Sequence, residues 1–196
     1  MLLFPRQKTH EDYSAVRLDE DAALAGGSYD VKGVSPSRAA LFSSESTDWV
    51  AEKTLSFVPT PAGFDIVCDV ALRRSASGSA SVQVGIEVVL NFLAPTMPDR
   101  YFESNGERFP LRWSADRPGS ELRVVDEWQR ASATLHGSAA QSFWVAPIET
   151  VSESEDGFER IYQGSQILAV WPVDLAAGAE WKAQLRLQVA RRRFSS

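Results

Sequence analysis

From residue 49 onward the chain alternates apolar and polar side chains with a period of two. Phe64, Ile66, Cys68, Val70 and Leu72 share one face of the run from Phe64 to Arg73, which is the mark of a half-buried β-strand. Residues 81–93 form a longer run with Val82, Val84, Ile86, Val88, Leu90 and Phe92 on one side. Its other side carries Gln83, Glu87 and Asn91 beside Gly85 and Val89, a polar face with fewer lysines, arginines and threonines than a solvated strand carries. Further strands are expected at 111–114, 122–126, 130–136, 143–148, 159–170 and 180–190. The last sets Trp181, Ala183, Leu185, Leu187 and Val189 against Lys182, Gln184, Arg186 and Gln188. Small-residue turns at 74–79 and a loop at 94–105 separate these runs.

Residues 1–48 carry weaker periodicity. His10–Asp21 reads as a short acidic helix broken by Ala25-Gly-Gly-Ser28, Tyr29–Lys32 as an edge strand, and Ser35–Ser37 and Ser43–Thr47 as loops. Strands joined by Gly, Ser, Pro and Asp turns, without a strong helical period, predict an all-β fold: a large two-sheet antiparallel β-sandwich. The expected organisation is a partly irregular N-terminal arm over 1–48, packed on a β-sandwich domain over 49–196. No repeat of solenoid or propeller period occurs.

The 196 residues suffice for one well-buried domain. An apolar fraction of 44% with 23% charged residues is that of a globular protein. The net charge of −6 and the interleaving of acids with bases argue against nucleic acid. The basic run Arg191–Arg193 reads as a solvated end. No signal peptide follows Met1, and no stretch reaches the roughly 18 apolar residues of a membrane span. The single cysteine, Cys68, excludes an intrachain disulfide and sits in phase with an apolar face, so it reads as a buried thiol. These features point to a reducing, cytoplasmic compartment.

Several chemistries lack their parts. There are two histidines, His10 and His136, and no Gly-x-Ser-x-Gly elbow, phosphate loop or dinucleotide fingerprint. A zinc site from these two histidines and one core cysteine is poor. Paired carboxylates would suit glycoside hydrolysis, and Glu87, Glu149, Glu153, Glu155 or Glu159 could supply one, but their spacing fixes no pair. The turn Glu153-Ser-Glu155-Asp156-Gly157 clusters oxygen ligands that suit calcium, without the alternation of an EF-hand loop. No metal or other cofactor is otherwise expected.

Residues 147–171 are the richest stretch. Glu149, Glu153 and Glu155 share it with Tyr162, Gln163 and Trp171, and Trp144 lies just upstream. Tryptophan can stack on the apolar face of a sugar while Glu, Gln and Tyr bind its hydroxyls. The alternative is that both tryptophans pack inside the sandwich. Trp181, in phase with an apolar face, reads as core.

Four segments together resemble a known family: 88–102, Asp126-Glu-Trp128, the run Trp144 to Gly164, and Trp171. They look like the C-terminal β-sandwich domain of the α-amylase and 4-α-glucanotransferase enzymes of glycoside hydrolase family 57. The resemblance covers about 50–190 and implies a galactose-mutarotase-like sandwich. In that family the catalytic glutamate and aspartate lie on an N-terminal barrel that has no counterpart here, so no catalytic residue carries over. The resemblance implies an accessory domain, alone, from a truncated or split gene or a fragment. Its expected partners are malto-oligosaccharide or another α-glucan and a catalytic barrel in cis or in trans. Trp144 and Trp171 would stack, and Glu149, Glu153, Glu155, Tyr162 and Gln163 would bind hydroxyls or the partner domain. A purely structural docking domain is the alternative. An autonomous aldose epimerase follows only from the superfamily fold, and there His136 is the one plausible histidine.

Overall fold

The computed structural model describes residues 1–43, 48–154 and 157–191. The expected loop at Ser43–Thr47, the carboxylates Glu155 and Asp156 and the end of the basic tail therefore fall wholly or partly outside the described residues.

In chain order the elements are β1 (Leu2–Pro5), α1 (His10–Ser14), α2 (Ala22–Gly26), β2 (Tyr29–Ser35), β3 (Arg38–Ser43), β4 (Trp49–Thr60) and β5 (Gly63–Arg74). There follow β6 (Ala80–Leu90), β7 (Arg100–Ser104), β8 (Glu107–Pro110), β9 (Ala115–Pro118) and β10 (Glu121–Asp126). The chain closes with β11 (Ala131–Gly137), β12 (Ser142–Ser154), β13 (Gly157–Leu175) and β14 (Glu180–Arg191). Among the described residues they form a five-stranded sheet, β1-β6-β13-β12-β9, and a nine-stranded sheet, β2-β3-β4-β5-β14-β11-β10-β7-β8. All pairings are antiparallel. The fold is the expected two-sheet sandwich.

Two apolar layers hold it. Between the sheets lie Val70, Leu72, Val84, Ile86, Leu122, Val124, Leu135, Phe143, Ile167, Ala169, Trp171 and Leu185, with Trp181 half-buried against them. On the far side of the five-stranded sheet a second cluster joins Phe4, Tyr13 and Leu18 to Trp144, Ala146, Leu168 and Val170. Strand β13 is thus buried on both faces in its second half, which explains its unbroken apolar run Ile167–Trp171.

The segment expected as an arm supplies β1 to one sheet and β2 and β3 to the other. Its acidic helix stops at Ser14, because the chain turns at Val16 and Asp19, both of positive φ (56° and 54°). Lys8 ties this turn down by donating to the Arg17 carbonyl at 2.7 Å and pairing with Asp19. The polar face of β6 is where the segment lands. Buried Gln83 donates to the carbonyls of Arg6 (2.9 Å) and Lys8 (2.7 Å), and the Tyr13 hydroxyl donates to Glu87 at 2.8 Å. Burial, and then the neighbouring Glu87 carboxylate, hold the Tyr13 phenol far above its ordinary range. Gly85 leaves room on this face for its neighbours in the sheet: a Cβ there would lie 2.6 Å from the Leu168 side chain and 3.2 Å from Phe4.

Two expectations fail locally. Residues 111–114 are not a strand but the turn between β8 and β9, and the expected loop 94–105 contains β7. Arg100, which opens β7, is buried and pairs with Asp99 (2.8 Å) and with fully buried Asp126 (3.3 Å). A charged side chain made an interior strand look like a loop.

Cys68 lies half-buried between the sheets, and burial raises its thiol pKa. Because the folded value lies above the unfolded one, near 8.5, this group's contribution to stability is full below that pH and is lost as pH rises through the folded value. Denaturant midpoints of wild type and Cys68→Ala, measured from pH 7 to 10, should therefore converge at the alkaline end. A gap that stays constant with pH would contradict this assignment.

Candidate functional site

The long hairpin of β12 and β13 outruns its sheet. Pairing with β6 ends at Ser165–Leu90 and pairing with β9 at Val145–Ala115, whereas β12 and β13 pair with each other out to Ser154–Gly157. Residues 149–154 and 157–162 therefore project as a two-stranded ribbon. At its root the register shifts between Ile148 and Glu149, leaving Gln163 without a cross-strand partner, a bulge of the kind that re-aims a strand. Gln163 turns its amide to Thr150 Oγ1 at 3.2 Å.

Charge and hydrogen bonds fix the ribbon at this point. Glu149 lies 3.8 Å from Arg112 and 3.6 Å from Arg160, and Arg112 also donates to the Arg160 carbonyl at 3.1 Å. Buried Ser165 donates to the Leu111 carbonyl at 3.1 Å, so its single proton is spent and the Tyr162 hydroxyl, 2.7 Å away, donates to Ser165 Oγ. Burial pushes the Tyr162 phenol above its ordinary value. The pairs Glu149–Tyr162, Val151–Arg160 and Glu153–Phe158 share one face of the ribbon. On it Phe158 is 80% exposed, and Val151 is exposed as well.

The site residues expected from sequence separate into two groups. Glu149, Glu153, Tyr162 and Gln163 come together on the ribbon, while Glu155 lies outside the described residues. Trp144 and Trp171 do not join them, because they are only 4% and 2% exposed. Trp144 sits in the outer cluster, with ring centroids 5.7 Å from Phe4 and 6.2 Å from Tyr13. Trp171 fills the centre of the sandwich, edge-on to Trp181 at 6.0 Å, and donates its indole N–H to the Ser138 carbonyl at 2.7 Å. Neither ring offers a face to a sugar, which corrects the expectation that they stack on one. Trp171 is in period-two phase with Ile167 and Ala169, all three in the inter-sheet core, and that phase is the signal that separates it from the acidic turn. Phe158 was the aromatic missed: it stands directly after the turn glycine and opposite Glu153.

Glu87, His10 and His136 are held by partners. Glu87 accepts from Tyr13 on the outer side of β6. His10 donates its Nε2–H to the Val145 carbonyl at 2.9 Å beside the five-stranded sheet, whereas His136, on the other sheet, lies 3.3 Å from Glu121. The two histidines are not brought together. Among the described residues no three His, Cys, Asp or Glu side chains converge on a point that would hold a metal, and no helix is long and apolar enough to cross a membrane.

The double sheet is that of the galactose-mutarotase-like sandwiches. A putative aldose 1-epimerase from Escherichia coli K12 superposes with a TM-score of 0.55 at 10% identity, over 89% of this chain and 70% of that one. The Slr1438 protein from Synechocystis gives 0.59 at 8% identity, over 84% and 66%. Within this class, residues 3–185 match the model of the family described as Alpha-amylase/4-alpha-glucanotransferase, C-terminal, and the chain belongs to that family. It is 30% identical over 180 residues to Alpha-amylase 1 of Dictyoglomus thermophilum, covering 88% of this chain and 25% of the relative. The 4-alpha-glucanotransferase of Thermococcus litoralis superposes with a TM-score of 0.65 at 17% identity, over 95% of this chain and 26% of that one. The chain thus spans about a quarter of the length of these two proteins.

Glu149 is the charge that locks the ribbon to the 111–114 turn. Replacing it with Ala should cost about 1 kcal/mol or less in global stability, since its arginine partners are largely solvated, yet speed amide exchange at 150–153 and 158–161. Exchange there that matches wild type would show that the ribbon does not depend on this charge.

Proposed function

We propose that this domain is a non-catalytic accessory unit of an α-glucan-processing enzyme of the glycoside hydrolase family 57 type, and that its ribbon holds malto-oligosaccharide. The observation that carries the reading is the exposed Phe158 ring on the same ribbon face as Tyr162, Glu149 and Arg160. An apolar platform beside placed donors and acceptors is what a sugar ring requires, its C–H face meeting the aromatic ring and its hydroxyls the polar groups. Gln163 and Thr150 bond to each other on the opposite face of the ribbon root and lie outside this surface. Family membership supplies the ligand class, because the named relatives are an amylase and a glucanotransferase. Proton transfer would need an acid and a base poised at one substrate. Of the carboxylates considered for that role, Glu149 is committed to two arginines and Glu87 to a tyrosine.

Titration calorimetry with maltoheptaose tests this. Phe158→Ala should weaken binding about tenfold, a loss of about 1.4 kcal/mol, while leaving the unfolding midpoint unchanged. Equal affinity in wild type and variant would remove the ribbon from the binding surface. An absence of saturable heat in both would overturn the glucan reading altogether.

A further inference from the structure

The two sheets differ by four strands in width, and the consequence is an inner face that the described residues leave uncovered. Phe64, Ile66, Cys68, Val70 and Leu72 of β5 point between the sheets, and Phe57, Leu55 and Lys53 of β4 lie opposite Ile66, Cys68 and Val70 on that same side. Across β3, Val31 and Val34 fall in register with Lys53 and Leu55. At the Val70–Leu72 end this face is core. Towards β2 and the turn between β4 and β5 it opens: Val34 is 73% exposed and Phe57 45%, with Val31, Leu55 and Ile66 exposed as well. The rings of Phe57 and Phe64 stack along it, 5.1 Å apart. A groove of about 350 Å³ runs from this face under β6, between Leu55, Ile66, Leu187 and Val88. Large apolar side chains gathered on one face of a sheet mark a surface that another body covers.

The family match points to that body. Met1 and Leu2 line the groove, and the family match begins at residue 3. This family is the C-terminal part of its enzymes, and the chain accounts for 25% and 26% of two of them. In such proteins the remaining three quarters precede this domain, so the polypeptide enters it at the lip of the open face. We propose that the overhanging inner face of β2, β4 and β5, with the groove beneath β6, is the docking surface for the preceding, catalytic portion of an α-amylase/4-α-glucanotransferase-type enzyme. That portion inserts an apolar ridge between Phe57 and Val88. The proposal rests on the reading of this chain as an accessory domain, but not on sugar binding at the ribbon, which is a separate surface.

Thiol protection tests it. In a Cys68→Ala background, Phe57→Cys places one reactive thiol on the face, and Trp128→Cys, at an exposed position in the β10–β11 turn, serves as the control. Alkylation is followed by mass spectrometry in the isolated chain and in a chimera in which residues 3–185 replace the matching quarter of the Dictyoglomus thermophilum amylase. Docking predicts alkylation about tenfold or more slower at position 57 in the chimera, with no change at position 128. An equal rate at position 57 in both overturns the proposal. So does slow alkylation of the isolated chain together with a dimer mass by light scattering, which would make the occupant a second copy. If the chimera does not fold, the same probe is read on the isolated chain mixed with the amylase lacking its last quarter. Slowing at position 57 there supports the proposal, and an unchanged rate at saturating amylase overturns it. Calorimetry at the ribbon reads the glucan site independently of either result.

Discussion

Burial of the five-stranded sheet on both of its faces is the constraint from which the remaining architecture follows. Strand β13 packs Ile167, Ala169 and Trp171 against the nine-stranded sheet and Leu168 and Val170 against the first 18 residues. A strand apolar on both sides cannot face water on either, so the N-terminal segment belongs to the fold. Its anchoring is polar as well as apolar: Gln83 satisfies two carbonyls of the covering chain, and Tyr13 meets Glu87. Glycine at position 85 leaves room on that face for the Leu168 and Phe4 side chains of the two flanking strands.

Two surfaces escape that enclosure, and both result from unequal lengths. Strands β12 and β13 run past the end of their neighbours and become a ribbon that carries charge, hydroxyls and one bare aromatic ring. The wider sheet runs past the narrower one and leaves an apolar face beside the chain start. A two-stranded ribbon alone is marginal in water; the Arg112–Glu149–Arg160 group and the Tyr162–Ser165–Leu111 relay brace its root. The division of labour proposed here gives the polar surface to glucan and the apolar one to the catalytic portion of the enzyme.

Period-two alternation made most of the sandwich legible in the sequence. β5, β6 and β14 are found where their apolar positions placed them, and the polar face of β6 stood out as unlike a solvated strand without showing what covers it. Strands were missed where charge or brevity hid the pattern: β7 opens on buried Arg100, neutralised by Asp126 from a neighbouring strand, and β1 has four residues. The ribbon was legible as a cluster of acids and hydroxyls, but its aromatic was not. Whether a tryptophan stacks on sugar or fills a core depends on which side of the strand meets the other sheet, and Trp144 and Trp171, on opposite faces of their sheet, both meet apolar neighbours. Phe158 is bare because the ribbon has left the sheet, a property of relative strand lengths that no local pattern carries.

The central claim, that this is a glucan-holding domain, is tested most directly by amide spectra of the ¹⁵N-labelled chain during titration with maltoheptaose. The account predicts saturable shifts confined to 149–153 and 158–163, with the buried indole N–H signals of Trp144 and Trp171 unmoved. Shifts that spare the ribbon, or none at millimolar sugar, would contradict it.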